Sequence, residues 1–461
     1  MKKPENTRRG FIKQASVGAA GLSFDSIFSS FKGKNYANTL ESNERPAGSH
    51  HVLQLRADPI PTVRVGFIGA GNRGGKAARR FTFIEGVEIK AICDLHENRV
   101  KNAQKTITDK GFPRADEYVG EEVWRKVCER DDIDLIYITT YWANHTPMAV
   151  YAMEQGKHVV TEVPAAISVE ECWSLVNTAE KTRKHCMMLE NCCYDFFELT
   201  TLNMAQKGVF GELVHGEGAY IHDLRSQLKS KTNWRTKYYE DYTGNPYPTH
   251  GLGPICQAMN IHRGDKMNFL VSISSGQFGM TQYLKDTFGE DSSEAGKQYK
   301  MGDMNTTIIK TEKGKTIMVQ HDVTSPRPYS RLHTLSGTKG FAQKYPSPGI
   351  ALEPDAHNFL DKDTYNKLVK EYEHSFITKI GEYAKEVGGH GGMDFIMDYR
   401  LIYCLRNGLP LDQDVYDAAE WSCLFELTEK SASNGGVPVQ IPDFTRGDWK
   451  LLDGLDFADY N

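Results

Sequence analysis

Apolar and polar residues alternate along Thr62-Val63-Arg64-Val65-Gly66-Phe67-Ile68, and the segment runs straight into glycines. That pattern predicts a strand, then a tight turn, then a helix over residues 75–81. Residues 87–94 alternate again and predict a second strand ending in Asp94. Residues 133–140 are almost wholly apolar, which suits a strand covered on both faces. Its carboxyl end opens into Tyr141-Trp142-Ala143-Asn144-His145, with a helix expected from near Thr146-Pro147. Residues 158–162 and 186–190 read as two further strands of the same kind. Strands alternating with helical stretches at this spacing point to a parallel sheet wound on both faces. From about Asn191 the pattern changes to longer strands rich in Tyr, His and Gly. Residues 214–222 alternate, and residues 304–309 and 316–321 predict a hairpin about Lys313-Gly314.

The turn after the first strand is Gly69-Ala70-Gly71-Asn72-Arg73-Gly74, a G-x-G-x-x-G hexad opening a helix. Glycine there lets the backbone turn sharply and approach a pyrophosphate, which sits on the helix N-terminal amides. Asp94 closes the second strand twenty residues after Gly74. A carboxylate in that place accepts from a ribose diol and repels a 2′-phosphate, so NAD is expected rather than NADP. The predicted class is therefore α/β. An N-terminal Rossmann NAD-binding domain spans residues 62–190, and a C-terminal α+β domain with a large, mainly antiparallel open sheet spans 191–461.

Composition narrows the setting. Of 461 residues, 39% are hydrophobic and 25% charged, ordinary globular values in a chain too long for one compact domain. A formal charge of −5 argues against nucleic acid or an anionic membrane as the main partner. No long uncharged apolar run suggests a transmembrane span. Thr7-Arg8-Arg9-Gly10-Phe11-Ile12-Lys13 followed by small residues reads as a twin-arginine export signal, so a periplasmic or cell-surface location is expected. Residues 23–61 read as a linker without secondary structure, which makes 1–61 a signal and linker. The nine cysteines are scattered and contain no C-x-x-C pair. Buried free thiols fit a protein folded in the cytoplasm before export, often with its cofactor already loaded.

Several motifs together carry a family resemblance. The GAGNRG turn, the TEVP turn at residues 161–164 and NHTPMAVYAMEQGKHVV resemble the Gfo/Idh/MocA oxidoreductase superfamily. GEGAYIHDLR (216–225), NWR (233–235), YPTHGLGP (247–254) and GGHGGMDF (388–395) resemble, more narrowly, glycoside hydrolase family 109. The wider superfamily commonly carries Glu-Lys-Pro after the fourth strand, with the lysine near the hydroxyl to be oxidised. This chain has Glu162-Val163-Pro164, and valine moves no proton.

The family resemblance implies a retaining glycosidase in which tightly held NAD takes hydride from C3 of the sugar. The aglycone then leaves C1 by elimination across C1–C2, water adds, and C3 is reduced again. The implied substrate is a glycoside ending in α-linked N-acetylgalactosamine. For the cofactor the resemblance implies Gly69, Gly71, Asn72, Arg73, Asp94, Trp142, Ala143, Asn144, His145, Glu162, Val163 and Asn191. For catalysis it implies His250 as acid and base, with Tyr247 beside the substrate. Histidine shuttles protons near neutral pH, whereas tyrosine does so only with a lowered pKa, as a nearby cation would provide. Tyr220, Arg235, Tyr329 and His390, together with Tyr247 and His250, are the implied sugar contacts. His215, His222, His333 and Cys192-Cys193 lack any ligand spacing, so no metal is expected. By analogy with the superfamily, the open sheet face would pair two subunits in a homo-oligomer. An NAD-dependent sugar dehydrogenase is the alternative, sharing every Rossmann feature but wanting the lysine. A non-catalytic sugar-binding protein would have to lack the His/Tyr constellation, which is present.

Overall fold

The computed structural model describes residues 44–230 and 233–457. The twin-arginine segment and the first part of the expected linker lie outside the described residues.

Strands β1 (Val63–Ile68), β2 (Val87–Asp94), β3 (Asp116–Val119), β4 (Leu135–Ile138), β5 (His158–Thr161) and β6 (Cys186–Met188) form one sheet in the order β3-β2-β1-β4-β5-β6. Every neighbouring pair is parallel. β1, β4 and β5 are almost entirely buried, as strands covered by helices on both faces must be. The strand order reverses between β1 and β4, which opens a crevice beyond their carboxyl ends. The glycine turn and the segment starting at Thr139 both sit there, and the Thr139 hydroxyl donates to the Gly69 carbonyl.

A second sheet follows: β7 (Leu213–Ile221), β8 (Met267–Ser274), β9 (Met304–Thr311), β10 (Thr316–Asp322), β11 (Ser330–Gly337), β12 (Gly340–Gln343), β13 (Gly349–Leu352) and β14 (Val439–Gln440). The order is β13-β12-β11-β7-β10-β9-β8-β14. Only β7 and β10 run parallel, and the β9–β10 hairpin turns at Gly314, whose φ is +92°. The helix Thr249–Ala258 crosses β7 and β11, and the helix Leu424–Ser433 covers β8. A continuous apolar core runs from the first sheet through these helices to the inner side of the second.

Three features differ from the sequence expectation. The helix after β4 begins at Trp142, not near Thr146-Pro147, and runs to Glu154 with Pro147 inside it. Proline removes only the amide that would have reached the Ala143 carbonyl, so the first turn forms ahead of it. Residues 44–61 hold no helix or strand, yet they pack as a strap rather than swinging free. Val52, Leu53 and Leu55 are buried, the Val52 amide donates to the Tyr416 hydroxyl, and Arg45 pairs with Glu180 and Asp448. The C-terminal region also holds helices the strand-rich reading passed over, chief among them Met393–Asn407, which lies against the helix Asn72–Phe81.

Candidate active site

The glycine turn is built by exclusion. Gly69 has φ +94°, and a Cβ there would meet the Thr139 carbonyl oxygen at 2.6 Å. A Cβ on Gly74 would lie 1.9 Å from the Gly69 carbonyl oxygen, so strand and helix approach only without one. Gly71 is different, because a Cβ there would find only the Arg99 guanidinium, at 3.7 Å. The space above it is open. The helix Asn72–Phe81 starts with no side-chain cap and no acid in its first turn, so its leading amides are offered outward. Asp94 accepts from the amides of Ala70 at 2.7 Å and His96 at 2.9 Å, fixing the turn against the end of β2. An uncapped helix start, an open glycine and an acid at the second strand end fit a dinucleotide.

Arg73 and Glu162 join that turn to the next loop. Arg73 donates from Nε to Glu162 at 2.8 Å and reaches Asp394 at 3.4 Å. Asp394 also accepts from Asn191 Nδ2 at 2.5 Å and from His390 Nδ1 at 2.9 Å. Burial would push the Asp394 carboxyl up, but the His390 hydrogen bond and the charges of Arg73 and Arg80 hold it well below the usual carboxylate range. His390 thus stands beside Asp394 at the glycine turn, its Nδ1 3.4 Å from the Arg73 guanidinium. His145 is a brace, its Nδ1 2.7 Å from the Pro164 carbonyl oxygen and its Nε2 3.1 Å from that of Thr140. Burial lowers its pKa, and the single N–H of the neutral ring donates to one of these two carbonyls. Val163 is buried, while Ala143 and Asn144 stand on the first turn of their helix with their side chains less covered.

The remaining residues form an aromatic box over the carboxyl end of β4. Trp142 is buried with its ring centre 5.0 Å from Trp234 and 6.0 Å from Tyr247. Arg235 lies 5.3 Å from each of the ring centres of Trp142, Trp234 and Tyr247, a cation stacked among π faces. Tyr220, on β7, packs against Tyr247 at 4.8 Å and His250 at 5.5 Å, and Tyr329 stands edge-on to it at 6.5 Å. The electrostatics of Tyr247 reverse the expectation. Burial drives its hydroxyl well above the ordinary tyrosine range, and the pull of Arg235 does not offset this. Tyr247 keeps its proton and can donate a hydrogen bond.

His250 opens the helix Thr249–Ala258, and glycines set its position. A Cβ on Gly251 would lie 2.3 Å from the Ala219 amide, and one on Gly218 would lie 2.0 Å from the Gly251 carbonyl oxygen. The helix therefore rests backbone to backbone on β7, which brings His250 beside Tyr220. Its Nδ1 lies 2.7 and 2.9 Å from the two oxygens of Glu190, a residue with no exposed surface at the end of the first sheet. Glu190, Asp394 and the Arg73–Glu162 pair are features that the sequence reading either missed or left unconnected. Glu190 carried one signal, as an acid ending an apolar strand just before Asn191.

Potential metal donors do converge in two places among the described residues, Glu190–Cys192–His250 and His262–Asp414–Asp417. In the first, Nδ1 of His250 already meets the carboxylate; in the second, the Arg263 guanidinium binds Asp417 at 2.7 and 3.0 Å. Hydrogen-bonding side chains already occupy these carboxylates. His215 and His333 bond instead to Thr316 and Thr201.

Residues 194–451 match the family described as Glycosyl hydrolase 109, C-terminal domain, more than half of the chain. The chain belongs to glycoside hydrolase family 109. Residues 63–190 of this family 109 glycosidase match the oxidoreductase family with the NAD-binding Rossmann fold. An alpha-N-acetylgalactosaminidase of Bacteroides fragilis is 61% identical over 407 residues, covering 87% of this chain and 96% of that protein. Glycosyl hydrolase family 109 protein 1 of Bacteroides thetaiotaomicron is 51% identical, covering 91% and 92%. Among solved structures, levoglucosan dehydrogenase in complex with NADH matches with TM-score 0.64 at 17% identity, over 83% of this chain and 100% of that one. That last likeness carries the fold alone.

Proposed function

We propose that this glycosidase releases terminal α-linked N-acetylgalactosamine with retention of configuration, using NAD held on the glycine turn. The observation that carries the reading is the meeting of two groups of residues at one crevice. The dinucleotide features end at β1 and β4, and Trp142, which leaves β4, is in ring contact with Tyr247 of the His250 group. NAD bound there would supply reversible hydride acceptance at the sugar C3. His250 is the base that takes the C3 hydroxyl proton as the ketone forms and then the C2 hydrogen that the ketone makes acidic, and it returns both in the reverse steps. Tyr247 and Tyr220 donate hydrogen bonds to ring oxygens, and Arg235 binds a hydroxyl or the acetamido oxygen. Valine at position 163 leaves no lysine to serve a simple dehydrogenation, and the 61% identity to an alpha-N-acetylgalactosaminidase supports the sugar. A twin-arginine start suits the reading as well, since a protein exported folded takes its nucleotide along.

The test is purified protein given p-nitrophenyl α-N-acetylgalactosaminide with no added nucleotide. Release of nitrophenol, at a rate unchanged by adding NAD, is expected. No release, with absorbance at 340 nm growing when free sugar and excess NAD are supplied, would make it a dehydrogenase.

A further inference from the structure

We infer that Glu190 is a positioning residue that fixes which nitrogen of His250 faces the substrate. The inference rests on the acid/base reading of His250 and extends it.

Glu190 has no exposed surface, and both its side chain and its backbone carbonyl are held. Oε1 accepts from the Cys192 amide at 3.1 Å, and the Gln413 side chain donates to the Glu190 carbonyl at 3.0 Å. A Cβ on Gly253 would lie 3.0 Å from Glu190 Cγ, so the helix carrying His250 closes on the glutamate only because that position is glycine. The carboxylate therefore cannot turn away from Nδ1. Burial alone would push the Glu190 carboxyl up, but the His250 ring beside it, with hydrogen bonds from His250, Thr249 and the Cys192 amide, holds it down. It is thus an acceptor, and Nδ1 must be the donor.

One consequence is chemical. With Nδ1 carrying its hydrogen toward Glu190, Nε2 is the atom left with a lone pair, in a ring that stands edge-to-face with those of Tyr220 and Tyr247. When Nε2 takes a proton, the buried carboxylate stabilises the imidazolium that results, as a third group does behind many histidine bases. A second consequence concerns the fold. Glu190 is the last residue of the nucleotide-binding segment and His250 lies in the glycosidase segment, so the base is complete only when both halves have folded together.

The experiment pairs kinetics with spectroscopy on the full chain. Glu190→Met removes the acceptor at similar volume, and Glu190→Gln keeps an oxygen that can accept but removes the charge. An orienting partner of this kind is worth about tenfold to a hundredfold. We expect kcat to fall by roughly that factor in Glu190→Met and less in Glu190→Gln, with KM within about twofold in both. Nitrogen-15 spectra of histidine-labelled wild-type protein, with His250→Gln as the assignment blank, should show His250 protonated at Nδ1. That signal should shift to a mixture of tautomers in Glu190→Met. If Glu190→Met does not fold, the isosteric Glu190→Gln and the wild-type spectrum still decide. An Nε2-protonated His250 in the wild type, or unchanged kcat in the Glu190 variants beside an inactive His250→Gln, would overturn the inference alone. Full activity in His250→Gln would overturn the acid/base reading beneath it.

Discussion

Arg235 shows how much of this site is set by single side chains. Its guanidinium is stacked among Trp142, Trp234 and Tyr247, where a desolvated cation–π contact is worth about 1–2 kcal/mol. Lysine keeps the charge but loses the flat face and the forked donors. Arg235→Lys should therefore raise KM for the glycoside by about tenfold and change kcat less. An unchanged KM would remove Arg235 from the sugar site. Gly251 makes a sterner case. The smallest side chain there would stand 2.3 Å from the Ala219 amide, so the helix must lift off β7. Gly251→Ala should cost about 1–3 kcal/mol of stability by overpacking and displace His250, lowering kcat. Gly75→Ala is the control, since its new Cβ meets only the Ala70 carbonyl oxygen at 3.5 Å. Calorimetry on the two variants reads the difference. Residue identity made His250, Tyr247 and Arg235 legible in the chain through their motifs. Glu190 was not legible as their partner, because a hydrogen bond between positions sixty apart leaves no local spacing to read.

At the scale of elements, the helix Met393–Asn407 is tied to the first sheet and its helix Asn72–Phe81 through buried charge. Asp398 accepts from Arg80 Nε at 2.7 Å and from the Tyr137 hydroxyl at 3.0 Å. Burial nevertheless pushes its carboxyl up to about 6, against the pull of Arg80. An unfolded aspartate titrates near 4. A carboxyl whose folded pKa is raised favours folding below the unfolded value and loses that contribution as pH rises through the folded one. Asp398 thus becomes less favourable to folding between about pH 4 and pH 6. Asp398→Asn abolishes that titration, so its Tm relative to wild type should rise across the same interval. A constant difference in Tm would show that Asp398 titrates normally. Strand patterning identified β1, β2, β4, β5, β7, β9 and β10 well, because each carries an apolar run or an apolar alternation over part of its length. Patterning failed at Trp142–Glu154, where Pro147 was taken as a boundary, and over the C-terminal helices. Met393–Asn407 is buried on nearly every side, so it shows no single apolar face to read.

The whole molecule places the crevice beyond β1 and β4 and the aromatic box around Trp142 on one continuous core. For a hydrolase this arrangement makes sense only if the nucleotide is retained from one turnover to the next. Protein purified without added nucleotide should yield NAD on denaturation, close to one per chain. Asp94→Ala loosens the glycine turn at Ala70 and removes the proposed ribose acceptor, and should release most of that NAD on dialysis. Retention undiminished in Asp94→Ala would place the nucleotide elsewhere.

The central claim is that glycoside cleavage passes through removal of the C2 hydrogen by His250, and isotope exchange reads that step directly. The protein turns over p-nitrophenyl α-N-acetylgalactosaminide in D2O, and the released sugar is examined by proton NMR. Deuterium at C2 of the product, with nitrophenol released and no nucleotide consumed, is the predicted result. Product carrying only hydrogen at C2, at undiminished rates of release, would contradict it and return this enzyme to direct displacement at C1.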